Sequence, residues 1–124
     1  MIIAEKNLEK EFMKLALQKA YENLGSTSIN PSVGCVIVKK GCVISSGKTS
    51  ISGRPHAEFN ALNKNENFNG STMYVTLEPC VHFGKTPPCS NKILRKKLKK
   101  VYYPILDVDE RTRGKTKKIL NKNK

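Results

Sequence analysis

Three short pieces of this sequence carry residues that could do chemistry together: His56-Ala57-Glu58, Glu78-Pro79-Cys80 and Pro87-Pro88-Cys89. One imidazole and two thiols form a borderline-soft nitrogen and sulfur donor set, which suits zinc. Three protein ligands would leave the fourth tetrahedral position for water, and that separates a catalytic zinc site from a closed structural one. Glu58 lies two residues from the histidine, near enough to move protons on and off such a water without being a ligand. Taken alone, a histidine in a helix is more often structural. The two later cysteines and Glu58 are what make His56, Cys80 and Cys89 a candidate ligand set. Cys35 and Cys42 stand in apolar runs with no nearby partners for a second set, so both are expected to pack as small hydrophobes.

His-x-Glu followed by Pro-Cys-x-x-Cys is the signature of zinc nucleobase deaminases. The first half is intact here, but eight residues, Val81 to Pro88, separate Cys80 from Cys89. The stretch TLEPCVHFGKTPPC, with NPSVGCVIV at 30–38 and HAE at 56–58, resembles the pyrimidine deaminases of riboflavin biosynthesis. The resemblance covers most of the chain. It implies zinc-dependent hydrolytic deamination of a phosphorylated pyrimidine nucleotide, with Glu58 as the catalytic proton carrier. It also implies substrate contacts from Asn30, Ala57, His82, Lys85 and Thr86, with Lys85 as phosphate partner because an ammonium is a strong point charge. The plainer readings are turn chemistry for Asn30-Pro31 and a solvated polar loop between the cysteines. Two stretches depart from the family pattern. Thr49 stands where a histidine often lies, seven residues ahead of His56, and Asp107-Val108-Asp109-Glu110 stands where Asp-Pro-Asn-Pro is usual.

The elements that must position these residues follow from periodicity and turn chemistry. Leu8, Phe12, Leu15, Ala16 and Leu24 recur at helical spacing, which predicts a helix over 7–24 with Asn7 as N-cap and Gly25 as its stop. Two apolar runs, 33–38 and 42–45, flank a Lys-Lys-Gly turn and predict a β-hairpin whose first strand is buried on both faces. Pro55 is placed to open a helix over 56–64, with His56 and Glu58 in its first turn. A strand over 72–77 would deliver Glu78-Pro79-Cys80 at its C-terminal end, and a helix over 88–100 would carry the stripe Ile93, Leu94 and Leu98. A strand over 101–106 should be an edge strand, because Pro104 removes a ladder donor, and a basic helix over 112–121 closes the chain. The expected fold is α/β: a three-layer α/β/α arrangement with one mixed sheet of about four to five strands, as likeness to cytidine-deaminase-like domains implies. That superfamily usually has a further strand after the last helix. Either the chain is shortened or its sheet ends at the strand carrying Pro104.

The length, 124 residues, suits one domain at 1–124 with no room for a reductase domain, so a separate reductase is expected for the next reaction. No signal peptide or membrane-spanning run is legible, which points to the cytoplasm, no membrane partner and unpaired cysteines. The net charge is +13, and residues 92–124 hold thirteen Lys/Arg against three acids. Solvated helix faces explain such a bias, and attraction of a polyanion or a phosphorylated substrate is the sharper alternative. A deaminase of a base in RNA or single-stranded DNA, or a non-enzymatic zinc domain that binds nucleic acid, are therefore the competing functions. Glu58 argues against the second of these, since a structural site does not need it. The loop 81–88 argues against the first, as does a chain with no Trp, four Tyr and four Phe for stacking bases. Nucleic acid is expected to bind through non-specific charge attraction alone. A homo-oligomer is expected from the resemblance and the small size.

Overall fold

The wholly apolar run at 33–38 becomes the interior of a β-sheet. In the computed structural model, which describes residues 5–82 and 87–122, strand β1 (Gly34–Lys39) lies between β2 (Cys42–Lys48) and β3 (Thr72–Val75), antiparallel to both. Strand β4 (Lys100–Tyr102) pairs parallel to β3, giving one mixed four-stranded sheet in the order β2-β1-β3-β4.

Alternation of side chains along the strands sorts the core into two layers. Cys35, Ile37, Met73 and Val75 meet Ala57, Ala61 and Leu62 of helix α2 (Ala57–Leu62) and Ile93 of helix α3 (Cys89–Arg95). Leu120 of helix α4 (Thr116–Lys122) packs at the border of that cluster. Val36, Val38 and Tyr74 point the other way, onto Phe12, Met13 and Ala16 of helix α1 (Glu5–Glu22). The result is the expected three-layer α/β/α fold. A Cβ at Gly47 would strike the backbone of Ala57 and Ala61, so glycine there lets α2 lie directly on β2. That contact sets where the start of α2 stands over the sheet.

Several expectations are corrected. Helix α1 begins at Glu5, so Asn7 lies inside it and is not its N-cap. Of the expected stripe, Ala16 is fully buried and Phe12 packs against the same cluster, whereas Leu8, Leu15 and Leu24 are exposed. A Cβ at Gly34 would overlap the α1 backbone at Ala16 and Ala20, so the helix face with the small residues is the one that fits. Cys35 is in the core, but Cys42 is exposed, because it opens an edge strand beside the hairpin turn. β2 runs on to Lys48, β3 stops at Val75, and α2 spans only Ala57–Leu62 with His56 at its N-cap position. Helix α3 ends at Arg95 rather than 100, where Lys97 takes a left-handed φ of 58°. β4 is an edge strand as expected but ends before Pro104, and α4 starts at Thr116 rather than 112. Among the described residues no helix is long and apolar enough to cross a membrane.

Candidate metal centre and active-site cavity

Each candidate ligand stands at an element end. His56 is the extended residue before α2 (φ −71°, ψ 165°), Cys80 follows β3 after an irregular stretch, and Cys89 is the first residue of α3. The eight-residue gap between the cysteines closes on itself, since the Cys89 N–H donates to Cys80 Sγ at 3.2 Å and the Ser90 N–H to the Cys80 carbonyl at 3.1 Å. His56 Nδ1 lies 3.8 Å from Cys80 Sγ and 3.6 Å from Cys89 Sγ, and one donor atom from each residue lies within 4.8 Å of the others. A nitrogen and two sulfurs converging this closely, in a half-buried to buried setting, have the donor chemistry of a zinc site.

Electrostatics tie the cluster together. Hydrogen bonding from the Cys89 side chain holds the Cys80 thiol down to about 4, with His56 and the Cys89 N–H adding to it against burial. The same contact with Cys80, then burial, pushes Cys89 well above the ordinary thiol range. His56 is raised first by its bond to Cys80. Glu58, 4% exposed in the first turn of α2, is raised to about 7 by burial and then by the charge on Cys80, and the Cys89 side chain hydrogen-bonds to it.

His56, Glu58 and Cys80 open onto a cavity of about 610 Å³, whose described lining includes Asn30, Thr49, Arg54 and His82. Its far wall is the stretch from Ile105 to Asp109, with Arg111. The Asn30 Nδ2 donates to the Gly53 carbonyl at 3.0 Å, and Gly53 (φ 95°) has no room for a Cβ beside Asn30 and Thr27. Thr49 Oγ1 accepts from the Val33 N–H at 2.9 Å and donates to the Pro31 carbonyl at 3.2 Å, so its hydroxyl serves the backbone of 31–33. Ala57 is fully buried in the core cluster and is not among the described residues that line the cavity. Lys85 and Thr86 lie outside the described residues.

Sequence reasoning assigned no role to Glu78, Thr112 or Thr116, yet these residues fasten the far wall to the cysteine turn. The Glu78 carboxylate accepts three backbone N–H bonds: Oε1 from Asp107 and Gly114 at 3.0 Å each, Oε2 from Thr116 at 3.2 Å. Burial works to raise its pKa, but these bonds win and hold the carboxyl below its usual range. Thr116 Oγ1 donates to the Pro79 carbonyl at 2.6 Å, and Thr112 Oγ1 accepts from the Val81 N–H at 3.1 Å. A glutamate directly ahead of Pro-Cys was visible in the sequence; nothing there announced the two threonines.

A buried carboxylate beside a His/Cys/Cys cluster on a three-layer α/β/α sheet defines a class, and the chain belongs to it. The chain is a member of the cytidine and deoxycytidylate deaminase family, whose zinc-binding region matches residues 6–105. Within that family it is similar to the riboflavin biosynthesis protein RibD of Aquifex aeolicus, 45% identical over 111 residues, covering 89% of this chain and 31% of the relative. It is also similar to the diaminohydroxyphosphoribosylamino-pyrimidine deaminase of Buchnera aphidicola from Schizaphis graminum, 43% identical, covering 86% of this chain and 74% of that one. A solved structure of the Thermotoga maritima diaminohydroxyphosphoribosylaminopyrimidine deaminase/5-amino-6-(5-phosphoribosylamino)uracil reductase superposes with a TM-score of 0.88 at 37% identity. That match covers 94% of this chain and 34% of the Thermotoga chain. The chain thus spans about a third of the Aquifex and Thermotoga relatives and 74% of the Buchnera one.

Proposed function

We propose that this chain hydrolytically deaminates 2,5-diamino-6-(5-phosphoribosylamino)pyrimidin-4-one to 5-amino-6-(5-phosphoribosylamino)uracil and ammonia, in riboflavin biosynthesis. One observation carries the reading: Glu58 is buried against a converging His56/Cys80/Cys89 cluster and faces a cavity large enough for a nucleotide-sized ligand. His56, Cys80 and Cys89 would hold zinc, which when bound supplies the Lewis acidity that makes water nucleophilic near neutral pH. Both thiols must be deprotonated to hold the metal. Glu58 takes a proton from water, places it on the ring nitrogen and assists departure of the amine.

Asn30, fixed by Gly53, keeps its side-chain oxygen for a pyrimidine donor, and His82 contributes from the same cavity, while a contact from Ala57 rests on the family resemblance alone. Lys85 and Thr86 complete the substrate contacts, with Lys85 on the phosphate. The exposed lysines Lys97, Lys99, Lys100 and Lys117 border a second groove of about 710 Å³ between α3, β4 and α4, which shares Leu106 with the cavity but is lined by neither Glu58 nor the candidate ligands. That placement favours the free nucleotide over an oligonucleotide as substrate. The chain works in the cytoplasm as a homo-oligomer; Leu8 and Leu15 on one side of α1, and Leu17 and Tyr21 on the other, are exposed apolar residues. A reductase on another polypeptide or domain then acts on the product. Ammonia release from the free nucleotide by purified, zinc-loaded protein tests the activity; no release above the uncatalysed rate overturns it.

A further inference from the structure

His82 reaches the cavity with one ring nitrogen turned toward a buried hydroxyl. Its Nδ1 lies 2.6 Å from Thr112 Oγ1, and Nε2 lies 3.7 Å from Asp109 Oδ2. Thr112 is fully buried, so no water meets its hydroxyl. The oxygen already accepts the Val81 N–H at 3.1 Å. Its proton still needs an acceptor, because a buried donor left unpaired is costly. Among the described residues His82 Nδ1 is the one acceptor within hydrogen-bonding distance of that hydroxyl. If Nδ1 accepts, the neutral ring carries its proton on Nε2.

We propose that Thr112 is a positioning residue that sets His82 as an Nε2–H donor facing the substrate cavity. Asp109 Oδ2, at 3.7 Å, is beyond hydrogen-bonding distance of Nε2 and leaves that N–H free for a ligand, its carboxylate being held by the Arg111 N–H at 2.9 Å and Arg111 Nε at 3.0 Å. His82 then offers a hydrogen bond to an acceptor, such as a pyrimidine carbonyl or a phosphate oxygen, and rejects a ligand that presents a donor there. The kinetic consequence rests on the deaminase reading above, but the tautomer does not.

The test is a two-bond proton–nitrogen correlation spectrum of the zinc-loaded protein, with Thr112→Ser and Thr112→Val alongside. Only two histidines are present, so the His82 ring signals are identified with a single His82→Gln control. The same spectrum reports whether the ring is neutral. The parent and Thr112→Ser should show the Nε2–H form, and Thr112→Val should move toward the other tautomer or a mixture. In deamination assays Thr112→Val should lose about tenfold in kcat/KM, mostly through KM, with zinc content unchanged and Thr112→Ser restoring most of it. An Nδ1–H ring in the parent, or an unchanged His82 pattern in Thr112→Val, overturns the proposal. If Thr112→Val does not fold, the parent and Thr112→Ser spectra decide alone. The expected tautomers in a protein that does not deaminate the nucleotide would support this inference while sinking the proposed function.

Discussion

The Glu78 carboxylate and the Gly114 backbone N–H are joined at 3.0 Å across 36 positions of chain. With the bonds from Asp107 and Thr116, Glu78 fastens the segment that forms the far wall of the cavity to the turn that carries Cys80. Glu78→Ala leaves three N–H groups without their acceptor and should cost about 3 kcal/mol or more, while Glu78→Gln should cost about 1–2 kcal/mol. Urea unfolding of parent and variants measures both. The carboxyl is depressed in the folded state, so its contribution is present above the ordinary carboxylate value of 4.5 and is lost as pH falls through the folded value. Part of the parent's acid destabilisation below about pH 4.5 should therefore be absent from Glu78→Gln. Equal slopes in the two proteins would show that Glu78 does not contribute in this way.

Metal analysis of purified protein should give one zinc per chain, lost or sharply reduced in His56→Ala, Cys80→Ala and Cys89→Ala. Cys35→Ala and Cys42→Ala should keep it, since one thiol is in the apolar core and the other is exposed on β2. Loss of metal from those two, with retention in Cys80→Ala, would falsify the ligand set.

Glu58→Gln removes a proton carrier and no ligand. It should fold and retain zinc, while kcat drops at least ~10²–10⁴-fold, the range a general acid–base group usually contributes. Near-native turnover with full metal content would mean that another group moves the proton.

Lys85 and the basic groove make opposite predictions about phosphate. Lys85→Ala should reduce kcat/KM for the phosphorylated nucleotide by about ten- to a hundredfold, the loss of one charge-assisted contact of roughly 1.5–3 kcal/mol. Discrimination against the dephosphorylated substrate should shrink by the same factor. Replacing Lys97, Lys99, Lys100 and Lys117 by Gln should change free-nucleotide turnover only by a modest, salt-sensitive steering factor. RNA and single-stranded DNA should give no product. Reproducible deamination of an oligonucleotide at ~150 mM salt, abolished by Glu58→Gln, would reverse that conclusion.

The candidate chemistry was legible in the sequence because it lives in residue types and short spacings: His56 two residues from Glu58, and thiols directly after Pro79 and Pro88. The interior position of β1 was legible for a similar reason, since a strand covered on both faces leaves no polar position in its pattern. The face that α1 buries was legible only in part: Phe12 and Ala16 of the predicted stripe reach the core, but the close backbone contact at Gly34 leaves Leu8 and Leu15 exposed. Nor could the sequence show that α4 would begin four residues late, after a segment held by Glu78. The links from Glu78 to Gly114, Thr116 to Pro79 and Thr112 to His82 join residues 30 to 37 positions apart. No local propensity encodes such pairs; they form because burial beside the cysteine turn removes water and leaves each polar group only the partner that the fold brings to it.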